Sequence, residues 1–496
     1  MIHQLRLILR PIIFINLLLS VLMVLCGVYG LLNHEREAAV SFFQSTAFAI
    51  VLSIIMGMFS KSREKKIITI RSGFVLVVLV WIFTCFIGAV PYYLSGSIPK
   101  IVDALFESVS GFTTVGASIL TDIESLPSSI LLWRALTHWI GGGGIVVLSV
   151  AILPLLGIGG THLMQAETTG VTKEKLTPRI TQTAKYIWIL YLILNIIGVA
   201  LLHHGGMNYL DAFTHASSAI ATGGFSNKNT SVGYFQSAYI DWVLIGFMYI
   251  GSLNFLVLIK ALKGNLKSFF YDSEIRVFTL IIIVVSVIVS LLLYFSEGGF
   301  KDIHGNTHTS LLDAFRFGTF QVVSIISTTG FATADYNIWH PSAQILIFLM
   351  FFIGGSSGST SGGIKVIRHI IMFKQAVINI KSLIHPKGVF TMRINNNPIS
   401  NKVVITVMGF IIAYFTTLFI GAFIVALSGQ LTAFESISAM LGTLGTVGPG
   451  FGAVGPADNY GFLPDFAKIT LFVSMIIGRL ELFTVLILFS PWFWKK

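Results

Sequence analysis

Residues 11–32 and 72–99 contain no charged side chain. Each run exceeds the roughly 20 apolar residues that cross a hydrocarbon core. In lipid, every backbone N–H and C=O must find its partner inside the protein, so only helices and closed barrels span a membrane. Barrel strands alternate polar and apolar residues, and these runs do not. The chain is 54% hydrophobic and 11% charged, whereas a soluble domain carries about 25% charged residues. The expectation is therefore an all-α polytopic membrane protein. Hydropathy places spans at 11–32, 40–60, 72–94, 131–154, 184–204, 241–263, 276–296, 343–370, 403–427 and 466–491. The first run is too long for the apolar stretch of a signal peptide and lacks a small-residue cleavage site, so it reads as a helix. Cys26 and Cys85 both fall in apolar runs and read as buried thiols, not as a disulfide or metal pair.

The formal net charge is +11. With the N-terminus in the cytoplasm, most of the 32 Lys and Arg residues fall in segments 1–10, 61–71, 173–185, 260–276, 365–402 and 495–496. These segments share one side of the membrane. That bias is the positive-inside rule, and it accounts for the charge without nucleic acid. Both termini are expected in the cytoplasm. No loop is long enough for a soluble catalytic domain.

Beyond the first two helices the chain repeats itself. Each unit reads helix, short amphipathic segment, glycine-bearing turn, helix. The turns are FTTVGAS (112–118), ATGGFS (221–226), STTGFAT (327–333) and GTVGPGFG (445–452). Their central glycines align as Gly116, Gly223, Gly330 and Gly448. Phe106, Phe213 and Phe320 precede three of them at one spacing, leaving room for a half-helix of about two turns. An Ile-Gly pair follows each turn: Ile140-Gly141, Ile250-Gly251, Ile353-Gly354 and Ile477-Gly478. The expected units are 72–170, 171–270, 271–380 and 381–496, after two additional N-terminal helices in 1–71.

Non-helical backbone at membrane depth survives only where protein buries it or it lines a watery cavity. Four similar turns can converge on one axis, with carbonyl oxygens replacing the water around a cation. Glycine permits the backbone angles that aim a carbonyl inward. Carbonyls carry partial charge and suit a weakly held monovalent ion, whereas a divalent ion calls for carboxylates. No Asp or Glu lies within four residues of any turn glycine. TTVG at 113–116 is close to the potassium-channel signature. The candidate filter residues are Thr114, Val115 and Gly116, then Thr222, Gly223 and Gly224, then Thr329, Gly330 and Phe331, then Val447, Gly448 and Pro449, with K+ as the bound and transported ion. Asp335, Glu107 and Glu435 stand further off and are left with a vestibule field. For one turn alone, a buried glycine turn for helix packing competes with this reading; four in register disfavour it.

Residues Gly354, Gly355, Ser356, Ser357, Gly358, Ser359, Thr360, Ser361, Gly362 and Gly363 interrupt the second helix of the third unit. A run of small polar residues unwinds a helix over a wet cavity, which reads as an intramembrane gate. Close small-residue helix packing is the competing reading. Arg479 lies inside the last apolar span, where a charge costs about 2.5–3.5 kcal/mol. Its counterparts by the Ile-Gly alignment are Gly142, Ser252 and Gly355. It reads as an electrostatic barrier in the pore or, alternatively, as the partner of Glu481. Arg134 and His138 are expected at the outer interface or against a pore half-helix. Lys365 and Arg368 follow the gate.

The motifs TTVGAS, TGGFS, TTGF and GPGFG, with GGSSGSTSGGIK and GRLELFTVLILF, resemble the Trk/Ktr/HKT superfamily of potassium transporters over about residues 72–491. The two extra N-terminal helices resemble the Trk membrane subunit. The fourth turn combines a Trk-like GPGFG with a Ktr-like GTVG stretch. The resemblance implies potassium uptake across the bacterial plasma (inner) membrane. It also implies a gate loop at 354–363, Arg479 in the pore, a homodimer in the lipid bilayer and a cytosolic nucleotide-binding ring of the TrkA type; loop 371–402 is the candidate docking loop. A symporter coupled to sodium or protons is the rival within transport, although units of one orientation favour a pore over inverted repeats. An intramembrane serine protease would leave the four units unexplained, and no enzyme is expected.

Overall fold

The computed structural model describes residues 2–60, 70–147, 176–395 and 397–495. The end of the expected span 131–154 and the basic segments 61–69 and 173–175 lie outside them. Two long helices, Ile2–Leu32 and Arg36–Ser60, form an N-terminal hairpin. Leading helices then open the repeats at Ile70–Leu94, Leu176–His204, Ser273–Tyr294 and Asn401–Ala426. The half-helices are Ile101–Phe112, Tyr209–Ala221, Leu311–Ile326 and Ala433–Leu444. At 12 to 16 residues they are longer than the two turns expected from the sequence.

Their starts are legible in local chemistry. The side chains of Asn208, Ser310 and Thr432 cap three of them, and Thr432 with Glu435 forms a reciprocal capping box. The third residue of every half-helix is an acid: Asp103, Asp211, Asp313 or Glu435. Carboxylates there favour the positive end of the helix dipole.

The closing helices are where the hydropathy reading needs correction. Only the first, Ser128–Val147, is one continuous described helix. The second bends by 102° between Ala238–Gly251 and Phe255–Leu262, and the fourth bends by 107° after Arg479. The third is not the single span 343–370: Pro341–Met350 stops, residues 351–365 are non-helical, and Val366–Ile384 resumes. Hydropathy sums over a window and passes smoothly across such breaks.

Burial runs inside out. Along Asn401–Ala426, Ile412 and Phe423 are 69% and 67% exposed, while Ser and Thr of the half-helices and turns are enclosed. An apolar girdle around a polar centre fits hydrocarbon outside and a polar path within. Cys26 and Cys85 are buried and unpaired. Glu35, between the first two helices, accepts from the backbone N–H and hydroxyl of both Ser128 and Ser129 at 2.6–3.0 Å. That contact fastens the N-terminal hairpin to the start of the first closing helix. At the other end, Arg71 donates to the carbonyl of Lys495, so Lys495 lies beside the start of the first leading helix.

Candidate ion pathway

Each half-helix ends in the same three-residue turn. A threonine takes positive φ at Thr114, Thr222, Thr328 and Thr446, with values of 50°, 51°, 60° and 55°. Two residues later a glycine does the same, at Gly116, Gly224, Gly330 and Gly448, with values of 81°, 83°, 82° and 101°. The residue between them donates its N–H to the last half-helix turn: Val115 to Ser110, Gly223 to Ser218, Thr329 to Ser324 and Val447 to Gly442, all at 2.8–2.9 Å. This pattern corrects the register. In the second turn the counterpart of Gly116 is Gly224, while Gly223 matches Val115. Phe213 then loses its match to Phe106 and Phe320, and it is the one of the three that is only partly buried. The sequence reading also missed Thr328 and Thr446.

The four turns meet. A Cβ built on Gly116 would overlap the carbonyl oxygen of Gly223. One on Gly224 would overlap that of Thr329, one on Gly330 that of Val447, and one on Gly448 would press on that of Val115. The circuit runs from turn one through two, three and four and back to one, which closes only if the turns share a centre. The half-helix C-termini, with their partial negative charge, end at this ring. Phe331 and Pro449, by contrast, turn back to their own half-helices. The carbonyl of Phe331 accepts from the Ser324 hydroxyl at 2.6 Å, and that of Pro449 lies against Gly442.

The Ile-Gly pairs have a packing cause. A Cβ on Gly141, Gly251 or Gly478 would strike the carbonyl of Phe112, Ile220 or Leu444, at the end of the matching half-helix. In the third unit, Gly354 meets Gly362 of its own interrupted helix instead.

That interrupted tract lies directly under the ring. Thr360 donates its hydroxyl toward the carbonyls of Ile220 and Gly251, each at 2.8 Å. Ser361 donates to Ser327 O at 2.6 Å, and Gly362 N–H donates to the Thr328 hydroxyl at 2.9 Å. Ser356 N–H reaches Ser252 O at 2.9 Å, at the break in the second closing helix. Arg479, 2% exposed, donates Nη1 to Thr360 O at 2.7 Å and Nη2 to Gly141 O at 3.2 Å. It does not pair with Glu481, whose carboxylate takes Arg368 at 2.5 Å. Among the described residues no ion pair of Arg479 is seen, so its charge rests on two carbonyl dipoles. Lys365 donates to the Ser361 carbonyl.

Arg134 and His138 are buried against Phe225 of the second turn. Arg134 pairs with Glu107 at 2.8 Å, donates to Ser226 O at 3.0 Å and lies over the Phe225 ring. His138 stacks on the same ring and contacts the Ser218 hydroxyl at 2.9 Å. Of the two placements expected for Arg134 and His138, the one against the half-helices is found. Glu107 is neutralised there and contributes little to a vestibule field.

Residues 40–496 match the family model TrkH, described as a cation transport protein. The chain belongs to the TrkH family. It is similar over 99% of both lengths to the Trk system potassium uptake proteins TrkH of Salmonella typhimurium, at 38% identity, and Escherichia coli K12, at 37%. The crystal structure of the potassium transporter TrkH from Vibrio parahaemolyticus superposes with a TM-score of 0.88 at 34% identity, covering 99% of each chain. The four-unit TrkH architecture expected from the repeats is therefore the fold of this chain. Transport families of this kind are not enzymes.

Proposed function

We propose that this chain takes up potassium across a bacterial inner membrane through the loop ring; the relatives named above are potassium uptake proteins. The closed circuit of glycines and carbonyls supports this reading most directly. Carbonyls at Val115, Gly223, Thr329 and Val447 would replace the hydration shell of a monovalent cation, helped by four half-helix ends of negative polarity. The tract 354–363 acts as the gate and Arg479 as the barrier, since the two are joined by a hydrogen bond beneath the ring. Unit boundaries at 72, 171, 271 and 381, cytoplasmic termini, a homodimer and a nucleotide-binding regulatory ring belong to the same proposal.

The test is 86Rb+ uptake by the purified full chain in liposomes, competed by K+ and by Na+. Competition by K+ well below the Na+ concentration needed supports the reading; equal competition overturns it. Reversal potentials under separate sodium and proton gradients distinguish a pore from coupled symport.

A further inference from the structure

Glu274 is a buried carboxylate for which the pathway above has no use. It is the second residue of the third leading helix, next to the face that carries the basic loops. Its Oε1 accepts from Ser357 N–H at 2.8 Å, from the Ser357 hydroxyl at 3.3 Å and from Ile367 N–H at 3.1 Å. Ser357 lies inside the gate tract, and Ile367 is the second residue of the helix that follows it. One oxygen atom thus ties the tract to that helix. An acceptor shared by two buried N–H groups spares both the penalty of being left unpaired. Other bonds to the tract come from neighbouring turns, from the broken second closing helix, from Arg479, and from Lys365 and Val366 just after it.

The helix that carries Glu274 is itself held from outside the bundle. Asp272 caps it, accepting from Glu274 N–H and Ile275 N–H at 3.0 Å. Asn395 then grips this cap from both sides. Its Oδ1 accepts from Ser273 N–H at 2.8 Å and its Nδ2 donates to Asp272 Oδ2 at 3.1 Å. Asn395 forms the tip of the exposed hairpin Arg393–Ile394/Asn397–Pro398, at φ 48°. The hairpin is also tied to the helix after the gate, because Lys374 donates to Arg393 O at 2.6 Å.

Resting on the reading of 354–363 as a gate, we propose that Glu274 is the clasp that holds the gate shut, and that the Asn395 hairpin sets the clasp from the basic face. A force on the hairpin moves Asn395, Asn395 moves the Asp272 cap, and the cap carries Glu274 relative to Ser357 and Ile367. Glu274 touches no ion; it is a positioning residue. Substitution by Ala strands two buried N–H donors in the closed state, whereas Gln keeps an acceptor oxygen at the same reach.

The experiment uses the full chain in liposomes without any partner and measures basal 86Rb+ uptake and Na+ competition. Glu274→Ala is expected to raise basal uptake about tenfold, because two buried N–H donors lose their acceptor in the closed state. Glu274→Gln should stay within about threefold of the parent, and the K+ over Na+ preference should be unchanged in both. Asn395→Ala should raise uptake by a smaller factor, and the double variant should not exceed Glu274→Ala, because both act through one contact. Unchanged or reduced uptake in a monodisperse Glu274→Ala protein overturns the clasp, and so does full additivity of the double variant. Should Glu274→Ala not fold, the exposed Asn395→Ala decides, with unchanged uptake overturning the proposal. Absence of uptake in the parent and in every folded variant overturns the pore reading itself and is told apart by that pattern.

Discussion

Replacing Gly330 with Ala tests the ring at its tightest joint. Gly330 sits at φ 82°, and a Cβ there would overlap the carbonyl oxygen of Val447 more deeply than at any other ring glycine. The left-handed conformation alone costs an L-residue about 1–2 kcal/mol. The clash cannot be relieved by a side-chain rotation, because the obstructing atom is backbone. Either turn three withdraws or the Val447 carbonyl swings off the axis. On the proposed reading both remove one ligand from a cation at the centre, a loss of about 1.5–3 kcal/mol for a charge-assisted contact. That converts to roughly a tenfold to hundredfold loss of K+ preference in Rb+ competition. Gly448→Ala is the internal comparison: its Cβ meets Val115 O less closely, so the loss should be smaller. Parent-like ion preference in a folded Gly330→Ala protein, or a larger defect in Gly448→Ala, would refute the carbonyl ring.

Arg479→Gln removes a charge held by Thr360 O and Gly141 O. At an effective dielectric of about 20, unit charges roughly 4–16 Å apart repel by about 1–4 kcal/mol, so basal Rb+ uptake should rise at least about fivefold; a lower flux speaks against the barrier. Arg134→Met leaves Glu107 buried without its cation and should destabilise the protein by about 3–5 kcal/mol. Adding Glu107→Gln should restore much of that in a denaturation series. At Glu35, burial pushes the carboxyl up, but the hydroxyls and N–H groups of Ser129 and Ser128 outweigh it and hold it below the usual carboxylate range. A depressed carboxyl stabilises the fold above its unfolded value and loses that contribution as pH falls through its folded value. Melting temperature should therefore drop on acidification below about pH 4.5, and Glu35→Gln should flatten that slope.

Much of the pathway could be read from residue order because its constraints are local. A short amphipathic segment followed by a glycine-bearing turn recurs as a short word, so the four turns stood out. The second turn misled by one position because ATGGF offers two adjacent glycines. Only the backbone shows that Gly224 takes the left-handed angle while the carbonyl of Gly223 lies against Gly116. The acid at the third position of every half-helix was a legible signal that went unused. Contacts between distant segments were not legible: Glu107 with Arg134, Arg368 with Glu481, and Glu274 with Ser357 and Ile367 depend on how helices pack. A lone Glu at a helix start reads as a dipole partner, which hides its reach toward the gate.

The circuit of glycine against neighbouring carbonyl is built from one covalent chain. In an assembly of identical subunits, any substitution would strike all corners at once. Here a single quadrant can be altered while three remain as built, so the contribution of each corner to ion preference is separately measurable. The same freedom lets one quadrant carry a broken helix and another a lone guanidinium, asymmetries that a strictly fourfold assembly would have to repeat or forgo.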